Sequence, residues 1–398
     1  MDEPVVVVGA GAAGGTVATS LRAEGFDGRI VLLGAEGTVP YRRPMLSKEY
    51  LRGVAGRDDV ALHRPGTYDA LGIEVRPDAC AIDVDAGGRR VVLRSGESLS
   101  YRQLVLATGA RPRMLEVPGA GLAGVEVLRS MADADRIVAR ADGKQGAVVV
   151  GLGFVGLEVA ASLRECGLNV TAIEPMPAPC AQTLGDVVGK YLIDLHREHA
   201  VRVMCGMTVE AIRGAGAVEE VVASDGTAVP CDLVVVGVGV DPCTDLAVRA
   251  GAEVTNGILV DEYCRSTATE VLAAGDVARA YHPVAGRHIR VEHWQNALAQ
   301  GKTAARSCMG KWKAHDEIPW FWSDQYDANI QFVGFPGPYD REVCVGDPRH
   351  GRFGVLLFHE GVLAAAVGVN AADRIRRWGT LVRKRADVSA AMEGEGRW

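Results

Sequence analysis

The chain has 398 residues, 48% of them hydrophobic, and a formal net charge of −7. That length and apolar content suit two or three domains with proper cores, while the acidic balance excludes an overall footprint for nucleic acid. No apolar run approaches the roughly 18 residues that span a membrane, and the chain runs straight into a strand with no basic-then-apolar leader, so a soluble, cytoplasmic protein is expected.

The first element is the valine run of VVVVGAGAAGG, Val5 to Gly15, which reads as a buried parallel strand. Its glycines Gly9, Gly11 and Gly14 follow the G-x-G-x-x-G order, in which the first allows a tight turn, the second lets backbone approach a pyrophosphate and the third lets helix pack on strand. Phosphates would then face a helix N-terminus, where unpaired N–H groups and the macrodipole favour negative charge. An amphipathic helix and a second strand, Arg29 to Leu33, complete the context, and Glu36 beyond it is a candidate for the ribose hydroxyls. A surface glutamate at a strand end is the other reading of Glu36. The mixed stretch Ile73 to Leu106 follows and closes in LVLATGARPR, with a strand-to-loop exit at Ala107, Thr108 and Gly109.

After the loop Pro112 to Gly124 the pattern starts again. VVVGLGFVGLE, Val148 to Glu158, carries Gly151, Gly153 and Gly156, with Phe154 and Val155 between the last two. Its second strand, Asn169 to Ile173, delivers Glu174. A carboxylate there accepts from both ribose hydroxyls and repels a 2′-phosphate, and no arginine follows until Arg197, so NAD(H) is preferred over NADP(H). Farther on, His196 and His199 sit on an expected helix as surface residues rather than ligands. The unit closes with DLVVVGVGVDPCTDL, Asp232 to Leu246, whose Gly239 echoes the first exit. This repetition is one of fold. A short strand, Val271 to Ala274, then places Gly275 and Asp276 at its carboxyl end, where open α/β sheets bind ligands. Two such sites in one chain imply electrons passing between two nucleotides. Nine cysteines, odd in number and without a C-x-x-C pair, argue against a disulfide framework and a redox-active dithiol. No serine-histidine-acid or metal-ligand spacing stands out, so no metal is expected.

Three further stretches carry a resemblance. PYRRPMLSKEYL spans Pro40 to Leu51, VEHWQNALAQG spans Val291 to Gly301, and IPWFWSDQYDANIQFVG spans Ile318 to Gly334. With the two fingerprints they make the chain resemble, over nearly its whole length, the two-dinucleotide flavoprotein reductases. Within that group it is similar to the NADH-dependent ferredoxin reductases that serve bacterial oxygenases and cytochromes P450. The resemblance implies an α/β fold of two Rossmann-like, glutathione-reductase-like domains plus a small α+β C-terminal domain with a short antiparallel sheet. The domains are expected at 1–112 with 241–317 for FAD, 113–240 for NAD and 318–398 for the last. The first is discontinuous because Gly275 and Asp276 must return to the first fingerprint.

The resemblance also implies roles. FAD takes the first site, with Gly9, Gly11, Gly14 and Glu36 at its adenosine end, Arg43 and Lys48 beside the flavin, Arg111 after the exit, and Asp276 on the ribityl chain. Glu292, His293 and Trp294 form the tryptophan-bearing segment at the flavin. NADH takes the second site. Taken alone, Lys48 reads as a solvated lysine, Glu158 as a helix-dipole residue and Trp294 as ordinary packing. By the resemblance, Lys48 is a fixed cation that favours hydride arrival, Glu158 approaches it and orients the nicotinamide, and Trp294 shapes the stacking cavity. Met45 departs from the family's usual proline, and Gln182 stands where relatives often carry arginine. The implied partner is a small acidic ferredoxin, [2Fe–2S] or similar, met by a monomer or weak dimer. RIRRWGTLVRKR, Arg374 to Arg385, concentrates six basic residues as one docking candidate, with Arg287 and Arg290 as another and a plain solvated helix face as the alternative. Rubredoxin reductase, a redox-gated interaction protein resembling apoptosis-inducing factor, and a flavin hydroxylase are rival readings.

Overall fold

All four residues of the strand Val5–Val8 are buried, because both faces of a parallel sheet are covered and an unbroken apolar run satisfies both. The structure is a computed structural model that describes residues 3–335, 337–393 and 395. It divides into two compact units, one of Met1–Arg42, Arg57–Arg111 and Asp241–Pro319, the other of Arg43–Gly56, Pro112–Val240 and Trp320–Trp398. Among the described residues no helix is long and apolar enough to cross a membrane.

In the first unit Val5–Val8 pairs in parallel with Ile30–Leu33 on one side and Gln103–Leu106 on the other. Ile73–Arg76 and Val271–Ala273 extend the sheet outward, also in parallel. The fingerprint strand is thus central among five. The helix Ala12–Ala23 packs against the helix Trp294–Cys308, and Gly301 permits the approach: a Cβ there would lie 2.8 Å from the Ala13 carbonyl oxygen. Two small sheets, one of residues 81–100 and one of residues 258–290, complete the unit.

The second unit repeats the plan. Gly146–Val150 lies between Asn169–Glu174 and Leu233–Val236, with Arg202–Cys205 and Val125–Val127 outermost, all parallel. The unit also holds a five-stranded antiparallel sheet ordered Trp320–Gln325, Ala328–Gly334, Val362–Val369, Arg352–His359, Arg341–Asp347. It is larger than the short sheet expected from sequence. Its Ile330, Phe332, Phe353 and Val355 share one apolar cluster with Val149 of the parallel sheet and with Leu157 and Leu163 of the helix Phe154–Glu165.

That shared core corrects one expectation. His196 is not at the surface; it is 1% exposed and its Nε2 meets Gln325 Oε1 at 3.0 Å. His199 is half-buried, its ring stacked on Tyr326 at 3.6 Å. The helix Asp186–Glu198 would present this face to water in an isolated dinucleotide domain, but here the strand Trp320–Gln325 and its turn cover it.

Candidate functional site

Each glycine fingerprint builds the same cradle. Gly9 has φ +112°, and a Cβ on it would fall 2.1 Å from the Ala107 carbonyl oxygen, while one on Gly14 would fall 1.9 Å from the carbonyl oxygen of Gly9. Gly151 has φ +88° with the Gly237 carbonyl oxygen 2.5 Å from such a Cβ, and Gly156 has that of Gly151 at 2.0 Å. Backbone packing therefore requires the outer glycines. It does not require the middle ones: a Cβ on Gly11 or Gly153 would meet nothing within 4 Å. These open positions cap the helices Ala12–Ala23 and Phe154–Glu165, where amide N–H groups lack intrahelical partners. The residues fit a pyrophosphate in each unit.

Around the first cradle, the exit after Gln103–Leu106 is pinned by Thr108 Oγ1, which donates to the Cys243 carbonyl at 2.7 Å. Gly109 has φ +68°. Gly275 donates its N–H to Gln300 Oε1 at 2.9 Å, and a Cβ on it would press Ala13 Cβ at 2.9 Å. The Gly275–Asp276 exit therefore returns to the fingerprint helix. Glu36 is exposed and accepts from the Tyr41 hydroxyl at 2.6 Å. Arg111 pairs loosely with Asp245 at 3.6 Å, both exposed. Glu292 pairs with Arg290 at 2.5 Å. His293 caps the helix that starts at Trp294, and burial pushes its imidazole pKa down to about 4. Trp294 is half-buried. Asn296, one turn in, donates to the Val291 carbonyl at 3.0 Å and fixes the approach to the helix.

In the second unit Glu174 is buried and already engaged. Its Oε2 accepts from the Leu152 N–H at 2.6 Å, inside the fingerprint, and its Oε1 from the Met176 N–H at 3.0 Å. A carboxylate has about four acceptor sites, so capacity for a ribose remains. Phe154 opens the helix with its ring against Phe321, centroids 4.5 Å apart, and Val155 is exposed. Gly239, φ +101°, accepts from the Arg113 N–H at 2.9 Å. Arg43 donates to the Arg129 carbonyl at 2.5 Å.

The pair Lys48 and Glu158 is the chemically distinctive feature of this unit. Lys48 lies in a π-helical turn, Leu46–Tyr50, and Glu158 in the first turns of Phe154–Glu165. Their Nζ and Oε2 are 3.1 Å apart, with both side chains under a tenth exposed. A buried lysine and glutamate are mutually stabilised only when desolvation is offset by contact and by further hydrogen bonds. Those bonds come from residues the sequence reading missed. The Ser47 hydroxyl donates to Glu158 Oε2, Ser323 donates to Oε1 at 2.8 Å, and Ser162 ties the turn by donating to the Ser47 carbonyl at 2.7 Å. A signal for Ser323 existed in WFWSDQ: alternation puts Ser323 and Gln325 on the face of Phe321, where two polar residues at apolar parity demand buried partners.

The basic run near the C-terminus is partly spent. Arg374 and Arg377 pair with Glu395, whereas Arg376, Arg383, Lys384 and Arg385 are exposed. The Arg290 side chain is 11% exposed in its pair with Glu292, which removes it as a docking residue. All nine cysteines are free.

Residues 3–301 match the pyridine nucleotide-disulphide oxidoreductase family, and residues 320–394 match the reductase C-terminal family. The chain is 40% identical over 369 residues to the anthranilate 1,2-dioxygenase system ferredoxin–NAD(+) reductase component of Burkholderia cepacia, covering 92% of this chain and 91% of that protein. It is similar to the ferredoxin reductase for the CYP199A2 system of Rhodopseudomonas palustris, with a TM-score of 0.92 at 36% identity and all of each chain covered. It is also similar to the reductase in the covalent putidaredoxin reductase–putidaredoxin complex, with a TM-score of 0.94 at 32% identity, covering 99% and 98%. The two cradles and these matches lead to one conclusion: the chain belongs to the pyridine nucleotide-disulphide oxidoreductase family, and is an FAD-containing oxidoreductase that uses NAD(H).

Proposed function

We propose that this protein is an NADH:ferredoxin oxidoreductase that feeds a cytochrome P450 or a Rieske-type oxygenase. The observation that carries the reading is the paired cradle, in which two units each leave one glycine with no packing reason of its own. FAD supplies the conversion between hydride, two electrons at once, and the single electrons that an iron–sulfur partner accepts. The protein adds stacking, alignment and charge.

In this reading the first unit holds FAD through Gly9, Gly11, Gly14, the Thr108–Gly109 exit and Gly275–Asp276, with Glu36 at the adenosine end and Trp294 closing the cavity. The second holds NADH through Gly151, Gly153, Gly156 and Glu174. Lys48 supplies a buried positive charge that favours hydride arrival, and Glu158 fixes the direction of its ammonium group. The domain division is 1–112 with 241–317, then 113–240, then 318–398. The partner is a small acidic [2Fe–2S] ferredoxin, met in the cytoplasm by a monomer or weak dimer. The exposed Arg376, Lys384 and Arg385 supply a complementary face. The relatives' own names, a dioxygenase-system component and a putidaredoxin reductase solved with putidaredoxin, support an electron-transfer partner of this kind.

Anaerobic stopped-flow absorbance tests the reading. Mixing with NADH should bleach the flavin with a long-wavelength charge-transfer band, and oxidised [2Fe–2S] ferredoxin should then restore the oxidised spectrum. Bleaching that no ferredoxin reverses would overturn it.

A further inference from the structure

Glu158 is held from both ends, and the second hold comes from the C-terminal sheet. Its Oε2 faces Lys48 Nζ and the Ser47 hydroxyl, and its Oε1 accepts from Ser323 at 2.8 Å. Ser323 in turn accepts from Gln325 Nε2 at 3.1 Å, and Gln325 Oε1 meets His196 Nε2 at 3.0 Å. Ser323, Gln325, His196 and Glu158 are all buried, none above 6% exposed.

The chain of bonds has one direction. Burial keeps His196 neutral at neutral pH, with its pKa down at about 4, so the ring carries one proton. Gln325 turns its carbonyl oxygen to the ring and its amide to Ser323, which puts that proton on Nε2 and leaves Nδ1, the buried nitrogen without a partner, as a bare acceptor. The Ser323 oxygen is occupied by the Gln325 amide, so its own proton goes to Glu158. Every bond therefore delivers a donor toward the carboxylate, an arrangement that fixes its plane.

We infer that Ser323, aimed by Gln325 and His196, is a positioning residue for the Glu158–Lys48 pair, so that the C-terminal sheet sets the geometry of hydride transfer. The inference rests on the reading of Glu158 and Lys48 as hydride-transfer side chains. Serine suits the task because a single short hydroxyl both accepts and donates, and its strand position leaves it little freedom to turn elsewhere.

The test is a double-mutant cycle on the FAD-loaded full chain, read by anaerobic flavin bleaching at saturating NADH and by calorimetric NAD+ binding. Ser323→Ala should slow bleaching about tenfold, the scale of one hydrogen bond to a charged group, and should weaken NAD+ binding. Ser323→Cys, close in size with a weaker donor, should fall between, and it serves in place of alanine where alanine compromises folding. In a Glu158→Gln background Ser323→Ala should add nothing, because its route runs through the carboxylate. Additive losses would show a merely structural serine and overturn the inference. Wild-type kinetics and binding in both Ser323 variants, with Glu158→Gln slow, would also overturn it while leaving the reading of Glu158 intact. Wild-type kinetics in Glu158→Gln would remove that reading, and the inference with it.

Discussion

Single atoms decide what each glycine and acid can do here. Gly11 and Gly14 lie three residues apart and face opposite constraints, open space for one and backbone at 1.9 Å for the other. Gly14→Ala should therefore destabilise the protein by about 3 kcal/mol or more, at the upper end of what forced overpacking costs. Gly11→Ala should leave the melting temperature of the cofactor-free protein unchanged and lower the FAD absorbance per chain. Thermal melts and absorbance spectra of the two variants check both outcomes. Lys48→Ala should slow flavin reduction on the order of a hundredfold, comparable to loss of one preorganised electrostatic contact, with NADH binding changed much less. Equal losses in rate and affinity would assign the lysine to binding alone. Glu174→Arg should weaken NADH about tenfold and shift preference toward NADPH. Its bond to Leu152 adds a second consequence, because the fingerprint loop itself loosens, so Glu174→Gln should recover part of the loss. Steady-state constants for both nucleotides, measured side by side, separate the two effects.

At the scale of elements, helix Asp186–Glu198 shows how packing alters chemistry. Its His196 binds a proton in the unfolded chain near the model-peptide value of 6.5 but in the folded protein only near 4, because burial penalises the charged ring. His293 and His315 are held down in the same way, also at about 4. Between those values the unfolded state holds more protons, so stability rises with pH, is fully present above about 6.5 and is lost as pH falls toward 4. Each histidine accounts for a few kcal/mol at most over that window. Thermal melts at pH 7.5 and 5 should show the drop, and His196→Gln should make it shallower by one histidine's share, leaving those of His293 and His315; an unchanged slope would mean that His196 titrates normally. The strand Trp320–Gln325 explains the burial: alternation aims Phe321, Ser323 and Gln325 inward, and they cover the helix face that carries His196.

For the whole molecule, net charge and local charge point in different directions. The chain is acidic, at −7, while the helix Ala372–Arg383 and the two residues after it expose Arg376, Arg383, Lys384 and Arg385. An acidic partner would be steered to this face at low ionic strength. Arg376→Glu with Lys384→Glu should raise the KM for ferredoxin severalfold and flatten its dependence on salt, whereas an unaltered salt slope would place docking elsewhere. Arg374 and Arg377 are poor choices for that experiment, because their pairing with Glu395 makes them part of the fold.

How much was legible follows from the range of each constraint. The two α/β units, their glycine cradles and the strands that carry Glu174 and Gly275 were readable because parallel strands covered on both faces need unbroken apolar runs, and tight turns against backbone need glycine. Those demands act within about thirty residues of sequence, the length of one strand–helix–strand unit. The proximity of Lys48 to Glu158 was implied only by resemblance. Nothing local could show that Ser323, 165 residues beyond Glu158, completes its hydrogen bonding, that His196 is buried, or that two arginines of a basic run are consumed by a glutamate downstream. Tertiary structure decided these, because desolvation and hydrogen-bond satisfaction depend on what packs against a side chain, and that neighbour comes from a distant part of the chain.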